Sequence, residues 1–150
     1  MTLKTFAQLS TVIGSVAAAA AILVAVYVYN RQMNVQVFLE YTKRFDEVMT
    51  TFPEYARWAR RDLDAAPPHE SPELTVAVLR YLNLCAEEFY LQRRGCLARD
   101  VWRIWEDELK STLCSPLVQR EWNVLQREFF NFPEFVAFVE RTQREALRAS

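Results

Sequence analysis

Between Thr5 and Asn30 the chain runs for 26 residues without a charge, and from Leu9 to Tyr29 it is almost wholly apolar. A helix rises 1.5 Å per residue, so about 20 such residues cross a hydrocarbon core of roughly 30 Å. The sequence therefore predicts a transmembrane helix over residues 6–30, preceded by a short flank at 1–5. A cleaved signal peptide would end a shorter apolar region at small residues. Here the exit is Tyr27-Val28-Tyr29-Asn30-Arg31, and Ala17 to Ala21 sit mid-run, where cleavage would leave Ile22 to Tyr29 as an apolar terminus. Retention as an anchor is expected, with Phe6 at one interface and Tyr27 and Tyr29 at the other. The competing reading is a core helix of a soluble domain.

Lys/Arg residues near a span favour the cytoplasmic side. Lys4 lies on one flank, and Arg31, Lys43 and Arg44 on the other, followed by Arg57, Arg60 and Arg61. The expected location is a cell inner membrane, crossed once, with the domain at 31–150 in the cytoplasm. Cys85, Cys96 and Cys114 are odd in number and lack a C-x-x-C pair, as expected of reduced thiols rather than a zinc or dithiol site. Within the span, Ser10, Gly14 and Ala18 recur every four residues. Such a stripe permits close packing of membrane helices, hence homo-oligomers, although small residues are common in membrane helices anyway.

Beyond the anchor, 17 basic and 19 acidic residues leave a net charge of −2. Nucleic acid is not an expected partner, because phosphate contact calls for clustered basic excess. Gly95 is the one glycine of this part, so phosphate-cradling glycine loops are excluded and hairpins are poorly served. An all-α fold is predicted: one N-terminal transmembrane helix continuing into a small cytoplasmic bundle of about five helices.

The boundaries are readable. Ser71-Pro72 and Ser115-Pro116 each set a capping hydroxyl before a proline suited to the first helical turn. The first helix should run to about Arg94, stop at Gly95, and bury Leu74, Val78, Leu82, Cys85 and Phe89 on one stripe. A second is expected from Arg99 to Leu113 with Val101, Trp102, Trp105 and Leu109. A third starts at Pro116 with Leu117, Trp122, Leu125 and Phe129. Phe38, Thr42, Phe45, Met49 and Phe52 mark an amphipathic continuation of the anchor. Without proline or glycine between Gly14 and Pro53, anchor and domain are free to share one unbroken helix. Asp64 to Ser71, with Pro67-Pro68-His69, reads as a surface loop.

Thr51-Phe52-Pro53-Glu54-Tyr55, followed by Trp58 and Arg61, repeats in Asn131-Phe132-Pro133-Glu134-Phe135, followed by Phe138 and Arg141. Each has capping-box spacing. Two similar helix starts whose aromatics enter one core are expected; the alternative is a pair of docking elements for a partner.

No catalytic constellation emerges. His69 is the only histidine, lies in the proline-rich loop, and is tied to no nucleophile motif. Glu-x-x-His carboxylate sites cannot be built from it. Glu87-Glu88 and Glu106-Asp107-Glu108 read as solvated faces rather than a hard-cation site. No cofactor and no metal are expected. Arg80, Asn83, Glu87, Tyr90 and Arg94 step by three and four along one helix as a polar ridge. It either faces water, or turns Asn83 and Glu87 inward against Trp102 and Trp105 as a buried network, or forms a partner or ligand contact.

A set of short motifs accompanies this pattern: Ile13-Gly14-Ser15, Asn30-Arg31-Gln32, Phe52-Pro53-Glu54-Tyr55, Arg80-Tyr81-Leu82-Asn83, Glu87-Glu88-Phe89-Tyr90, Arg94-Gly95, Trp102, Trp105, Arg120-Glu121-Trp122 and Phe132-Pro133-Glu134-Phe135. As a set it resembles a widespread group of short, uncharacterised bacterial membrane proteins with one N-terminal span and a small helical domain. The chain departs from that pattern at Gly95-Cys96-Leu97-Ala98, where Gly-Ile-Asp is usual, and at the single Trp122, where tryptophans are usually paired. The resemblance implies an architecture and a bacterial inner membrane, and carries no activity with it. The leading expectation is a membrane-anchored accessory or scaffold that contacts lipid and binds another membrane or cytoplasmic protein. The alternatives are a membrane-associated sensor or stress effector, and a membrane-tethered enzyme using the ridge on the helix at 72–94.

Overall fold

The computed structural model describes the backbone of residues 3–64 and 66–149, and the side chains of residues 14–64 and 66–148. Every regular element among them is helical. Helix α1 spans Leu3–Thr51, α2 Pro72–Arg93, α3 Arg99–Leu113, α4 Pro116–Leu125 and α5 Pro133–Ala149, with 3-10 turns at Glu54–Ala56 and Gln126–Phe129. The chain divides into two compact units, Met1–Val37 and Phe38–Ser150, the division falling inside α1.

The first unit holds the apolar part of α1. It contains a stretch long and apolar enough to cross a membrane, and none of that stretch is buried. Ile22, Leu23, Val24 and Tyr27 are all exposed. A core helix of a soluble domain would bury such residues against its neighbours, and among the described residues none of them is covered. Gly14 and Ala18 are exposed, while the side chain of Ser10, like Lys4 and Phe6 at the other end of the span, lies outside the described residues.

The second unit is organised around α2, which packs on α3, α4 and α5. Of the predicted stripe, Leu74, Val78, Leu82 and Cys85 are buried and Phe89 is half-buried, while Ala77, Tyr81, Leu84, Ala86 and Glu88 are buried as well. Burial on more than one face makes α2 the central helix. Its ends follow local chemistry. Ser71 Oγ accepts from the Leu74 N–H at 3.1 Å, satisfying an orphan donor of the first turn. Gly95 has φ +70°, the left-handed region where a Cβ is strained. The chain reverses there through Gly95 N–H to Gln92 O and Cys96 N–H to Leu91 O, both 2.9 Å, which is the paired bonding of a Schellman stop. Ser115 repeats the cap at α4, accepting from Val118 N–H at 3.3 Å.

Aromatic rings fill the space between α2, α4 and α5. Phe135 has its ring centroid 5.8 Å from Phe89, 6.2 Å from Trp122 and 5.7 Å from Phe129. Buried Glu121 of α4 accepts from Thr75 Oγ1 at 2.8 Å and from Arg120 at 2.7 Å. Arg120 also donates to the Pro68 carbonyl, so one carboxylate links α2, α4 and the connecting loop.

The two Phe-Pro-Glu repeats part company. The second opens α5, whose Phe135 and Phe138 are buried as expected. After the first, only the 3-10 turn Glu54–Ala56 forms, and Tyr55 and Trp58 are exposed. A short helix is stable in a protein when an apolar face repays its nucleation. Here Phe52 and Ala56 turn inward, and the next buried residue is Arg60, so no such face develops. The α5 copy places Phe135 and Phe138 in the core, whereas of the first copy's aromatics Phe52 enters it and Tyr55 and Trp58 do not.

Candidate functional site

The ridge on α2 is largely solvated. Arg80, Asn83, Tyr90 and Arg94 are exposed and Glu87 is half-buried. Arg44 of α1 donates to Glu87 Oε2 at 2.6 Å, and Arg94 Nε donates to the Tyr90 hydroxyl at 3.1 Å while stacking over the same ring. Of the arrangements the sequence allowed, the water-facing one is observed, with Glu87 serving as the tie between α1 and α2. Asn83 does not turn inward against Trp102 or Trp105.

The cysteines and the histidine fall in different surroundings. Burial pushes the Cys85 thiol well up and the Cys114 thiol up, away from the thiolate form that reacts. Cys96 is exposed. His69 stacks on Tyr55 with centroids 4.3 Å apart. Among the described residues, no group of three or more His, Cys, Asp or Glu side chains is placed to hold a metal ion.

One residue beyond the ridge, the chemistry changes. Glu88 is 9% exposed, and it neither accepts a hydrogen bond nor forms an ion pair among the described residues. It lines a cavity of about 200 Å³ between the last turns of α1, the middle of α2 and α3. Phe38, Tyr41, Phe45 and Trp105 supply aromatic wall, and Glu108 a second carboxylate. The Trp105 ring lies 6.0 Å from Phe38, nearly parallel, and 5.6 Å from Tyr41.

Burial, reinforced by the neighbouring Glu108 carboxylate, raises the Glu88 carboxyl to about 8. Arg44 acts in the opposite sense and the Glu87 charge in the same sense as Glu108. The Glu108 carboxylate accepts from Arg60 Nη1 at 3.3 Å. Arg60 is itself buried, with its guanidinium 5.1 Å from the Phe45 ring centroid and 5.8 Å from that of Tyr81, and its Nε has no acceptor among the described residues. Burial likewise pushes the Tyr41 and Tyr81 phenols up. Glu121 differs: deeper still at 3% exposed, it is partnered on both oxygens, as buried charges are when their role is to hold a fold.

Reading Glu87-Glu88 and Glu106-Asp107-Glu108 as solvated faces thus holds for Glu87 and fails for Glu88. The signal was helical phase. Glu88 follows Tyr81 by seven residues and Cys85 by three, placing it on the core side, and its neighbours at three and four positions, Leu84, Cys85, Leu91 and Gln92, include no cation.

No family model, no curated protein and no solved structure matches the chain.

Proposed function

We propose that this chain is a single-pass membrane protein whose helical domain binds another protein as an accessory or scaffold subunit, on the cytoplasmic side of a bacterial inner membrane. The observation that carries the reading is the wholly unburied apolar stretch of α1. Apolar surface of this extent needs lipid or another helix, and the bulky exit at Tyr27-Val28-Tyr29 supports retention over cleavage. The bacterial inner membrane is proposed on the resemblance of the short sequence motifs alone. On the domain, Trp58, Ile104, Val124 and Phe130 are large and exposed, residue types suited to protein contact.

Orientation has a direct readout in Cys96, the exposed thiol of the described domain. In intact spheroplasts a membrane-impermeant maleimide is expected to leave it unlabelled, and to label it after permeabilisation. Labelling before permeabilisation would place the domain outside.

Crosslinking a tagged copy expressed at native level, followed by extraction in mild detergent, is expected to recover one stoichiometric partner. Replacing the span by an unrelated membrane helix then tells which half binds it. A clean monomer with no partner would overturn the accessory reading. A sensor is the second reading, and the observation favouring it is the cavity around an unpaired Glu88.

A further inference from the structure

We propose that the cavity lined by Glu88, Glu108, Phe38, Tyr41, Phe45 and Trp105 binds a small organic monocation, an aliphatic amine or a quaternary ammonium, with its charged head against Glu88 and its carbon against the rings. The site is independent of whether the domain has a protein partner.

Three observations converge on this ligand class. The first is charge. Arg44 is committed to Glu87 and Arg60 to Glu108, which leaves Glu88, among the described residues lining the cavity, as a carboxylate without an ion pair. One positive charge completes the set. The second is the wall. Aromatic faces attract cations within about 6 Å of the ring centroid, and Arg60 over Phe45 and Tyr81 already shows a cation held in this manner beside the cavity. The third is size and ligand chemistry. The cavity of about 200 Å³ is smaller than the roughly 300–1,000 Å³ that holds drug-sized ligands, so the occupant has few heavy atoms. A bare divalent cation would want about six or more oxygen ligands; here one of the two carboxylates is held by Arg60, the Thr42 hydroxyl is bonded to the Phe38 carbonyl, and among the described residues no group of three or more His, Cys, Asp or Glu side chains is placed to hold a metal ion.

Binding is linked to protons. Glu88 empty holds its proton to about pH 8, and a cation beside it favours the ionised form, so uptake of the ligand expels a proton. The titratable groups that act on Glu88 or line its cavity are Tyr41 and Arg44 from α1, Tyr81, Cys85 and Glu87 on α2, and Glu108 from α3, which Arg60 holds.

Calorimetric titration of the full-length protein in detergent with tetramethylammonium chloride and with n-propylammonium chloride, against sodium chloride at matched ionic strength, tests the site. Saturable one-site binding is expected, tightening by up to about tenfold per unit from about pH 6 to about pH 8. Glu88→Gln is expected to weaken it at least about tenfold and to flatten the pH dependence; Phe38→Ala, at the rim, weakens it several-fold with Glu88 intact. Repeating the titration in nanodiscs separates the sources of the ammonium. Loss of probe binding in phosphatidylethanolamine discs, but not in phosphatidylglycerol discs, assigns a lipid headgroup, and equal binding in both assigns a free amine. No saturable heat with either probe across this pH range, or binding by Glu88→Gln equal to wild type with an unchanged circular dichroism spectrum, overturns the proposal.

Discussion

Replacing Phe135 by alanine is expected to destabilise the domain by about 3–5 kcal/mol, the range for deleting a buried phenylalanine side chain. Phe135 is 1% exposed and touches rings from three directions, Phe89 on α2, Trp122 on α4 and Phe129 in the turn that precedes α5. The rings around it belong to different elements, so they cannot close the cavity by a single side-chain rotation. For a domain of this size the cost corresponds to a fall in melting temperature of about 15 °C or more. Thermal unfolding followed at 222 nm in detergent checks it. A loss of less than about 1 kcal/mol would mean that α5 is not docked through this ring.

Glu88→Gln has the opposite sign. The folded chain holds the Glu88 proton to about pH 8, whereas an unfolded glutamate releases it near pH 4.3. Folding therefore takes up a proton between these values, and stability falls as pH rises across that window. The stability conferred by the bound proton is fully present below the unfolded value and lost as pH approaches 8. Glutamine cannot ionise, so the variant should escape that decline. Near pH 5 the two proteins are expected to be close in stability; near pH 8 the variant is expected to be the more stable by on the order of 4 kcal/mol. Urea unfolding at about pH 5 and about pH 8 gives both differences, and staying at or below pH 8 keeps the higher-titrating Tyr81 and Cys85 out of the comparison. Equal slopes in the two proteins would show that Glu88 is charged and solvated at neutral pH. Together with amine binding this measurement separates two roles. A pH slope without binding marks an inert protonated acid, and a slope with binding marks a ligand site.

Most of the helical architecture was legible because it is set locally. Ser71-Pro72, Ser115-Pro116 and Gly95 determine where helices start and stop through bonds to their own neighbours, and the stripe from Leu74 to Cys85 reports a burial that any partner helix would require. What escaped reading depends on tertiary phase. On α1 the face was read through Phe38, Thr42 and Phe45, yet Tyr41 is the buried residue and the Thr42 hydroxyl turns back to the Phe38 carbonyl. On α2 two adjacent glutamates differ by about 100° around the helix, enough to put Glu87 on a salt bridge and Glu88 in a cavity. After Phe52 the capping-box spacing was present, but without an apolar face behind it only a 3-10 turn formed. The candidate site was therefore the least legible part: its residues come from α1, α2 and α3, and each looked ordinary on its own helix.

The loop between the 3-10 turn and α2 is clasped at both ends. Phe52, Ala56 and Arg60 turn inward at its start, while near its end Arg120 grips the Pro68 carbonyl and the Tyr55 hydroxyl bonds Ser71. Two copies of the chain exchanging the segment 38–51 would have to straighten this connector and break, within each chain, the Tyr55–Ser71 bond that closes it, which disfavours the open hinge that domain swapping exploits. Any pairing driven by the small-residue stripe of α1 would thus join two intact domains, each keeping its own Glu88 cavity, instead of building hybrids from exchanged halves.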